Sequence, residues 1–305
     1  MTLMLLDSAS LWYRAYFGMP DTLLSPSGEP VNAIRGYLDM TSKLISIYKP
    51  NRLVACIEGD WRPSWRVDLF PEYKANRLDV EGEEEEPDTL GPQIPILLDL
   101  LEAFGIPLVG VDDYEADDVM ASYAVTEPGP TKIVTGDRDL FQLVDDKRKI
   151  AVVYLAKGIT NHDHVDIKWI ANKYDIPGER YALFAMIRGD ASDGLPGIRG
   201  IGEKGAAIIA KQFTSLPEVM KAADQIIDIG PKAGVFGGEV VFQGSFSQLK
   251  GSKESLTAEY LMGLREIPIP KKRRVTKNKL LIQGARQFNL KNFDLKIPLN
   301  SLVCF

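Results

Sequence analysis

Cysteine and histidine are nearly absent from this 305-residue chain, with two of each. Cys56 and Cys304 lie far apart in sequence, which argues against a disulfide framework, and so few soft ligands exclude an ordinary Cys/His zinc cage. Also lacking is any apolar run near the ~20 residues that a membrane span needs. The opening MTLMLLDSASLW meets Asp7 and Ser8 before a signal-peptide core can form, so a cytoplasmic location is expected and no membrane partner. No G-x-x-x-x-G-K-[ST] occurs, which removes the phosphate loop of nucleotide hydrolases and with it any expectation of ATP as a partner. What remains, 45% hydrophobic and 26% charged residues, is ordinary for a globular chain with room for two domains.

Charge is unevenly spread. Residues 226–305 hold 13 Lys and Arg against 6 Asp and Glu, leaving 23 and 36 for residues 1–225. The first part is strongly acidic and the tail basic, a shift that marks a boundary. LMLLD (3–7), RLVACIEGD (52–60) and KIVTGDRD (132–139) share one shape, an apolar run ending in carboxylates, and predict buried strands. Between them, residues 31–49 and 90–105 carry apolar residues at helical spacing. Alternating strands and helices predict an α/β domain with a largely parallel sheet, whose ligands bind at the carboxyl ends of its strands. Residues 78–93 interrupt this pattern with an acidic run between Gly and Pro, which predicts a solvated loop. From Lys168 onward the pattern is helical, then a glycine-rich turn, then helical again.

The acidic residues fall at the predicted strand and helix ends. YEADD places Glu115, Asp117 and Asp118 within four residues; TGDRD sets Asp137 and Asp139 on one side of a strand end; RGDASDG sets Asp190 and Asp193 one turn apart on a predicted helix. A single pair of this kind would read better as helix caps and surface ion-pair partners. So many converging carboxylates would repel one another and hold protons unless a cation lay among them. All-oxygen ligation selects Mg²⁺ or Mn²⁺, and two such ions about 3.5–4 Å apart are the usual machinery of phosphodiester hydrolysis.

GIRGIGEKGA fits G-x-G-x-x-G only formally, because a turn rather than a strand precedes it. A helix-hairpin-helix turn is the better reading, with Gly200 and Gly202 letting backbone N–H groups approach a phosphate beside Lys204. WRPSWRVDLFPEYKANR (61–77) interleaves Arg62, Arg66, Lys74 and Arg77 with Trp61, Trp65, Phe70 and Tyr73. Cations for phosphates and rings for bases suit a single-stranded nucleic-acid path; an amphipathic edge of the core is the alternative.

LLDSASLWYRAYF, FPEYKANR, EADD, TGDRDLFQLV and RGDASDGLPGIRGIGEKGA, in this order, make residues 1–225 resemble the bacterial flap endonucleases, the 5′-nuclease family that also supplies the N-terminal domain of DNA polymerase I. The resemblance implies a PIN-like 5′-nuclease domain (1–167) with a helical arch, and a helix-three-turn-helix region (168–225) that grips duplex DNA, often with K⁺. It implies one metal site around Asp7, Glu115, Asp117 and Asp118 and a second completed by Asp137, Asp139, Asp190 and Asp193. It also makes Lys74 and Arg77 the cations on the scissile phosphate and Tyr73 a stacking ring. Where the family has an aspartate directly after the second strand, this chain reads CIEGD, leaving Glu58 and Asp60 both open as the ligand. The implied activity is metal-dependent cutting of DNA with a single-stranded 5′ end or flap, in the nucleoid during replication and repair.

From Ile226 the chain resembles another family, the damage-finding ABC ATPase of the bacterial excinuclease. DIGPKAGVFGGEVV is similar to the end of its first ATP-binding half, SLTAEYLMGLREIPIPKKRR to its connector, and LLIQGARQFNLKNFDLKIPLNSLVCF to the opening strands of its second half, before any phosphate loop. The expectation is a join near Gln225/Ile226, with residues 226–305 a β-rich, poorly packed fragment that exposes apolar surface. On that reading the rival to a working nuclease is a catalytically impaired DNA-binding chimera.

Overall fold

The computed structural model describes residues 1–78, 87–230, 238–266, 279–285 and 293–298. The strand β1 (Leu3–Asp7) is buried at every position, as a central strand covered on both faces must be. Its side chains alternate between two apolar clusters: Leu3 and Leu5 join Val54, Cys56, Ile133 and Val152, while Met4 and Leu6 join Ala55, Val134 and Val153.

In chain order, β1 is followed by α1 (Ser8–Gly18), α2 (Asn32–Tyr48), β2 (Arg52–Cys56), α3 (Ser64–Leu69), α4 (Gln93–Ala103), β3 (Leu108–Val109), α5 (Ala116–Thr126), β4 (Thr131–Thr135), β5 (Ile150–Tyr154) and β6 (Asp163–Val165). The strands form one six-stranded sheet in the order β3-β2-β1-β4-β5-β6. All neighbours run parallel except the antiparallel edge strand β6. The helices α1, α2 and α4 cover one face through Leu11, Ala15, Ile34, Tyr37, Leu44, Leu97 and Leu101. The other face carries α5, then α6 (Ile167–Tyr174), α7 (Tyr181–Arg188) and α8 (Glu203–Gln212), through Met120, Ile170, Tyr181, Phe184, Ala206 and Ala210. In α2 the buried set Ala33, Ile34, Tyr37, Met40, Thr41 and Leu44 falls at the three-and-four spacing read from the sequence.

The strand bounds decide what reaches the site. In register, Asp7 pairs with Cys56 and Leu6 with Val134, so β1, β2 and β4 end at one edge. The predicted strands 52–60 and 132–139 stop earlier, at Cys56 and Thr135. Glu58, Asp60 and Asp137 therefore sit on loops past the sheet edge, and Asp139 opens a short 3-10 helix (Asp139–Leu143), none of them on a strand. The predicted helix carrying Asp190 and Asp193 is also corrected. Helix α7 ends at Arg188 because Gly189 takes φ 78°, and Asp190 and Leu195 exchange two backbone hydrogen bonds that close a tight turn.

After α9 (Leu216–Ala222), β7 (Ile226–Gly230) and β8 (Glu239–Gly244) form an antiparallel pair. Residues 1–258 make one compact unit and residues 259–305 a second, in which β9 (Lys279–Ala285) pairs antiparallel with β10 (Phe293–Pro298). The acidic run at 79–86, the glycine-rich 231–237, the PKKRR segment and Cys304 lie outside the described residues, while Cys56 is a buried free thiol. Among the described residues no helix is long and apolar enough to cross a membrane.

Candidate active site

Asp7 occupies two roles at once. As the last residue of β1 it caps α1, its Oδ1 accepting from Ser10 N at 3.1 Å, and its Oδ2 accepts from the Thr135 hydroxyl at 2.6 Å. Thr135 Oγ1 in turn accepts from Asp137 N at 2.8 Å, and Gly136 N donates to Ser10 Oγ at 2.8 Å. The loop after β4 is thus pinned to the start of α1, which places Asp137 beside Asp7. Across the edge, Glu58 accepts from Ala116 N, the first residue of α5, at 2.7 Å, a favourable place for an anion.

These groups line one cavity of about 370 Å³, whose wall includes the carboxylates Asp7, Glu58, Glu115, Asp117, Asp137 and Asp193 and the cations Lys74 and Arg77. Trp12, Tyr13 and Trp61 complete much of the rest. Lys74 is buried, in the left-handed region at φ 51°, and its Nζ donates to Glu115 Oε2 at 2.5 Å and to the Trp61 carbonyl at 3.1 Å. Arg77 pairs with Asp193. The 190–195 turn is stitched onto the 72–77 segment by Lys74 N donating to the Asp193 carbonyl at 3.0 Å and Asn76 Nδ2 to the Ser192 carbonyl at 3.2 Å.

Burial sets the proton affinities. It pushes Asp7 up to about 6, with Asp137 adding to the effect against the hydrogen bonds of Thr135 and Ser10. Burial likewise carries Glu58 to about 7, helped by Asp7 and Glu115, and raises Asp117 well above its ordinary value, helped by Asp7 and Asp137. Carboxyl groups crowded out of water without a counter-cation respond in this way, and a divalent cation among them would reverse it. The all-oxygen donor set and these raised affinities fit such an ion. Among the described residues, however, no three of these groups stand in a closed metal-ligand arrangement. Three of the predicted ligands are paired with cations of the chain: Lys74 and Arg66 hold Glu115, Arg77 holds Asp193, and Arg66 holds Asp118.

Four predicted ligands lie outside the cavity wall. Asp118 forms a bidentate pair with Arg66 (2.8 and 2.9 Å) and accepts from Glu115 N at 3.1 Å, closing a capping box at the start of α5. Asp60 accepts from Arg62 N at 2.9 Å, a local turn. Asp139 follows an Asx-type turn on Asp137 (2.8 Å) and is raised to about 6 by burial and by Asp137. Asp190 lies 3.5 Å from Arg138 and 3.6 Å from Arg188; burial works against it, but Ser192 and these two guanidinium groups hold it below its ordinary value.

The predicted nucleic-acid residues divide. Arg62 is spent on carbonyls, Tyr73 and Pro71 at 2.6 Å each, and Arg66 lies 4.6 Å over Trp65 while holding Glu115 and Asp118. Tyr73 is buried, its hydroxyl donating to Glu115 at 2.7 Å, so its ring is packed and offers no open stacking face. Gly200 (φ 84°) and Gly202 have open space beside them, Gly202 caps α8, and Lys204 is exposed on its first turn. Thr135, Ser10 and Arg138 have structural parts that the sequence reading missed; the Thr that opens TGDRD was the available signal.

Residues 2–175 match the family described as 5′-3′ exonuclease, N-terminal resolvase-like domain. A 5′-3′ exonuclease of Streptomyces coelicolor is 51% identical over 226 residues, covering 72% of this chain and 75% of that protein. One of Mycobacterium tuberculosis is 44% identical over 234 residues, covering 73% and 74%. DNA polymerase I of Chloroflexus aurantiacus is 36% identical over 235 residues, with 75% of this chain but 24% of the polymerase covered. Among solved structures, the T5 D15 protein co-crystallized with metal ions shares the fold, with a TM-score of 0.57 at 20% identity over 73% of this chain and 80% of that one.

Proposed function

The chain belongs to the 5′-3′ exonuclease family, and from that premise we propose that it is a structure-specific 5′ nuclease that hydrolyses DNA phosphodiesters near a single-stranded 5′ end or flap. The observation that carries this reading is the cavity at the carboxyl edge of the sheet in which six carboxylates face two cations. Asp7, Glu58, Asp117 and Asp137 would hold divalent cations, Mg²⁺ or Mn²⁺, with Glu115 and Asp193 joining once their own cations turn to substrate. Glu58, not Asp60, takes the place after the second strand because it alone of the two lines the cavity. When bound, such ions supply an activated water and stabilise the departing oxygen.

The protein's own part is positional. Lys74 and Arg77 release Glu115 and Asp193 and bind the scissile phosphate, so one movement exposes ligands and delivers cations. Asp118 and Arg66 hold Glu115 in place, and Asp139 and Asp190 act through the turn that carries Asp137 and through Arg138 and Arg188. The open turn with Gly200, Gly202 and Lys204 suits a duplex phosphate, with K⁺ the ion expected there by resemblance. We propose that residues 226–305 are a segment of different ancestry, like the excinuclease ATPase, and take no part in the chemistry; among the described residues, neither apolar cluster of residues 1–225 draws on them.

The test is cleavage of an end-labelled 5′-flap duplex by the chain and by Asp137→Asn, with Mg²⁺, with Mn²⁺ and in EDTA. Metal-dependent cutting lost in the variant is the expected result. A folded chain that binds the flap yet leaves it intact in both metals would instead be a non-catalytic DNA-binding protein.

A further inference from the structure

A second cavity, of about 580 Å³, opens beside the Asp137–Arg138 turn and shares none of its lining with the first. Its volume lies within the range of small-molecule sites. Arg138, Lys157 and Lys173 line it, together with the rings of Tyr154, Trp169 and Tyr174. The two acidic residues of its wall are Asp163 and Glu203.

Two features separate this cavity from a chance depression. The rings are held by the core behind them: Phe141 meets Tyr154 edge-on at 4.9 Å and Trp169 at 5.5 Å, while Trp169 meets Tyr174 at 6.3 Å. Tyr154 and Trp169 remain only half-buried, so part of each faces outward. The cations are weakly committed. Arg138 approaches Asp190 only at 3.5 Å, Lys157 makes an exposed pair with Asp163 at 3.1 Å, and among the described residues Lys173 has no ion-pair partner. Exposed pairs of this kind exchange readily for a stronger anion.

Rigid rings beside loosely held cations match a flat aromatic group joined to a phosphate. We propose that this cavity is a binding site for a nucleoside monophosphate unit, its base against Trp169 and Tyr154 and its phosphate among Arg138, Lys157 and Lys173. The unit is either a free mononucleotide or one nucleotide of a bound DNA strand. Arg138 adjoins Asp137, so a ligand here would contact the loop that also forms the wall of the first cavity. The site does not depend on cleavage, and it stands or falls separately from the activity proposed above.

The test is titration of the full chain with dAMP in EDTA, by calorimetry, beside 5′-flap DNA binding under the same conditions. The variants are Lys157→Ala/Lys173→Ala, Arg77→Ala for the first cavity, and Lys147→Ala/Lys221→Ala as a charge-matched control; the lysines changed are all exposed. Saturable dAMP binding that weakens by about tenfold or more in Lys157→Ala/Lys173→Ala alone supports the site. Unchanged DNA affinity in that variant then identifies a free mononucleotide as the ligand, and a parallel loss of DNA affinity identifies a unit of the strand. If dAMP and DNA binding in Lys157→Ala/Lys173→Ala match the control variant, or if dAMP binding is lost with Arg77→Ala instead, the proposal is overturned.

Discussion

Asp137 raises the proton affinity of four neighbouring carboxyl groups, Asp7, Asp117, Asp139 and Asp193, while itself lining the cavity. Asp137→Asn removes one negative charge from that crowd and leaves the shape intact. Its expected effects have opposite signs: cleavage of a 5′ flap falls by about 10²-fold or more, while the melting temperature in EDTA rises by about 2 °C. A merely structural residue would lose both. The same crowd fixes a pH dependence. Asp7 and Glu58 go from ordinary values of 3.8 and 4.5 to about 6 and about 7 on folding. A carboxyl that holds its proton more tightly when folded contributes fully below its unfolded value, and that contribution is lost as pH rises through the folded one. Melting of the metal-free chain is therefore expected to lose stability from this cluster between about pH 4 and 7, and the Mg²⁺-induced rise in melting temperature to grow over the same window. A metal shift that shrinks as pH rises would contradict it. Lys74 is a countercharge to Glu115, and Lys74→Met leaves that buried carboxylate with Arg66 as its remaining cation. The expected cost is about 3 kcal/mol of stability in chemical denaturation, with cleavage still down by about 10²-fold at temperatures where the variant is folded.

At the level of elements, the apolar runs announced β1, β2 and β4 because a strand covered on both faces must be apolar throughout, and α2 because its buried residues keep helical spacing. The two-residue β3 has too little sequence to carry a pattern. The edge of the site was legible for the same reason, since carboxylates directly after buried runs must emerge where the strands end. What the sequence hid was pairing. Nothing in FPEYKANR says that Tyr73 turns inward to Glu115 or that Lys74 adopts φ 51°, because both depend on the 190–195 turn docking there. That docking has a weak point at Gly194. Gly194 has φ 75°, and a Cβ on it would lie 2.6 Å from the Glu72 carbonyl oxygen. Gly194→Ala is expected to cost about 1–3 kcal/mol and to lower cleavage through displacement of Asp193 and Lys74, read as a drop in melting temperature together with kcat. Unchanged kcat in a destabilised Gly194→Ala would show that the turn supports the fold without setting the cations.

For the whole molecule, the two apolar clusters that build the sheet and its helical layers draw their buried members from Leu3 to Ala210, with Leu216 and Val219 packed at the margin. Every residue lining the first cavity lies at or before Asp193. The hairpin of β7 and β8 adds little to either. Its own anchor is local, Asp228 accepting from Ser255 at 2.6 Å and Thr257 at 3.0 Å, and its surface is apolar: Ile227, Ile229 and Val240 are 53%, 60% and 56% exposed. Ile227 and Ile229 share one face of β7, and Val240 pairs with Ile229 across the hairpin, so the three form one patch. An apolar patch on a two-stranded sheet with open edges favours self-association. A chain ending at Gln225 is therefore expected to melt within a few degrees of the full chain and to cut the same flap substrate at a similar rate. Light scattering at increasing concentration should show the full chain associating and the shorter one monodisperse. Unfolding of the shorter chain would instead mean that the hairpin holds α9 and the last turns of α8 in place, and that the tail, whatever its ancestry, has become part of the nuclease fold.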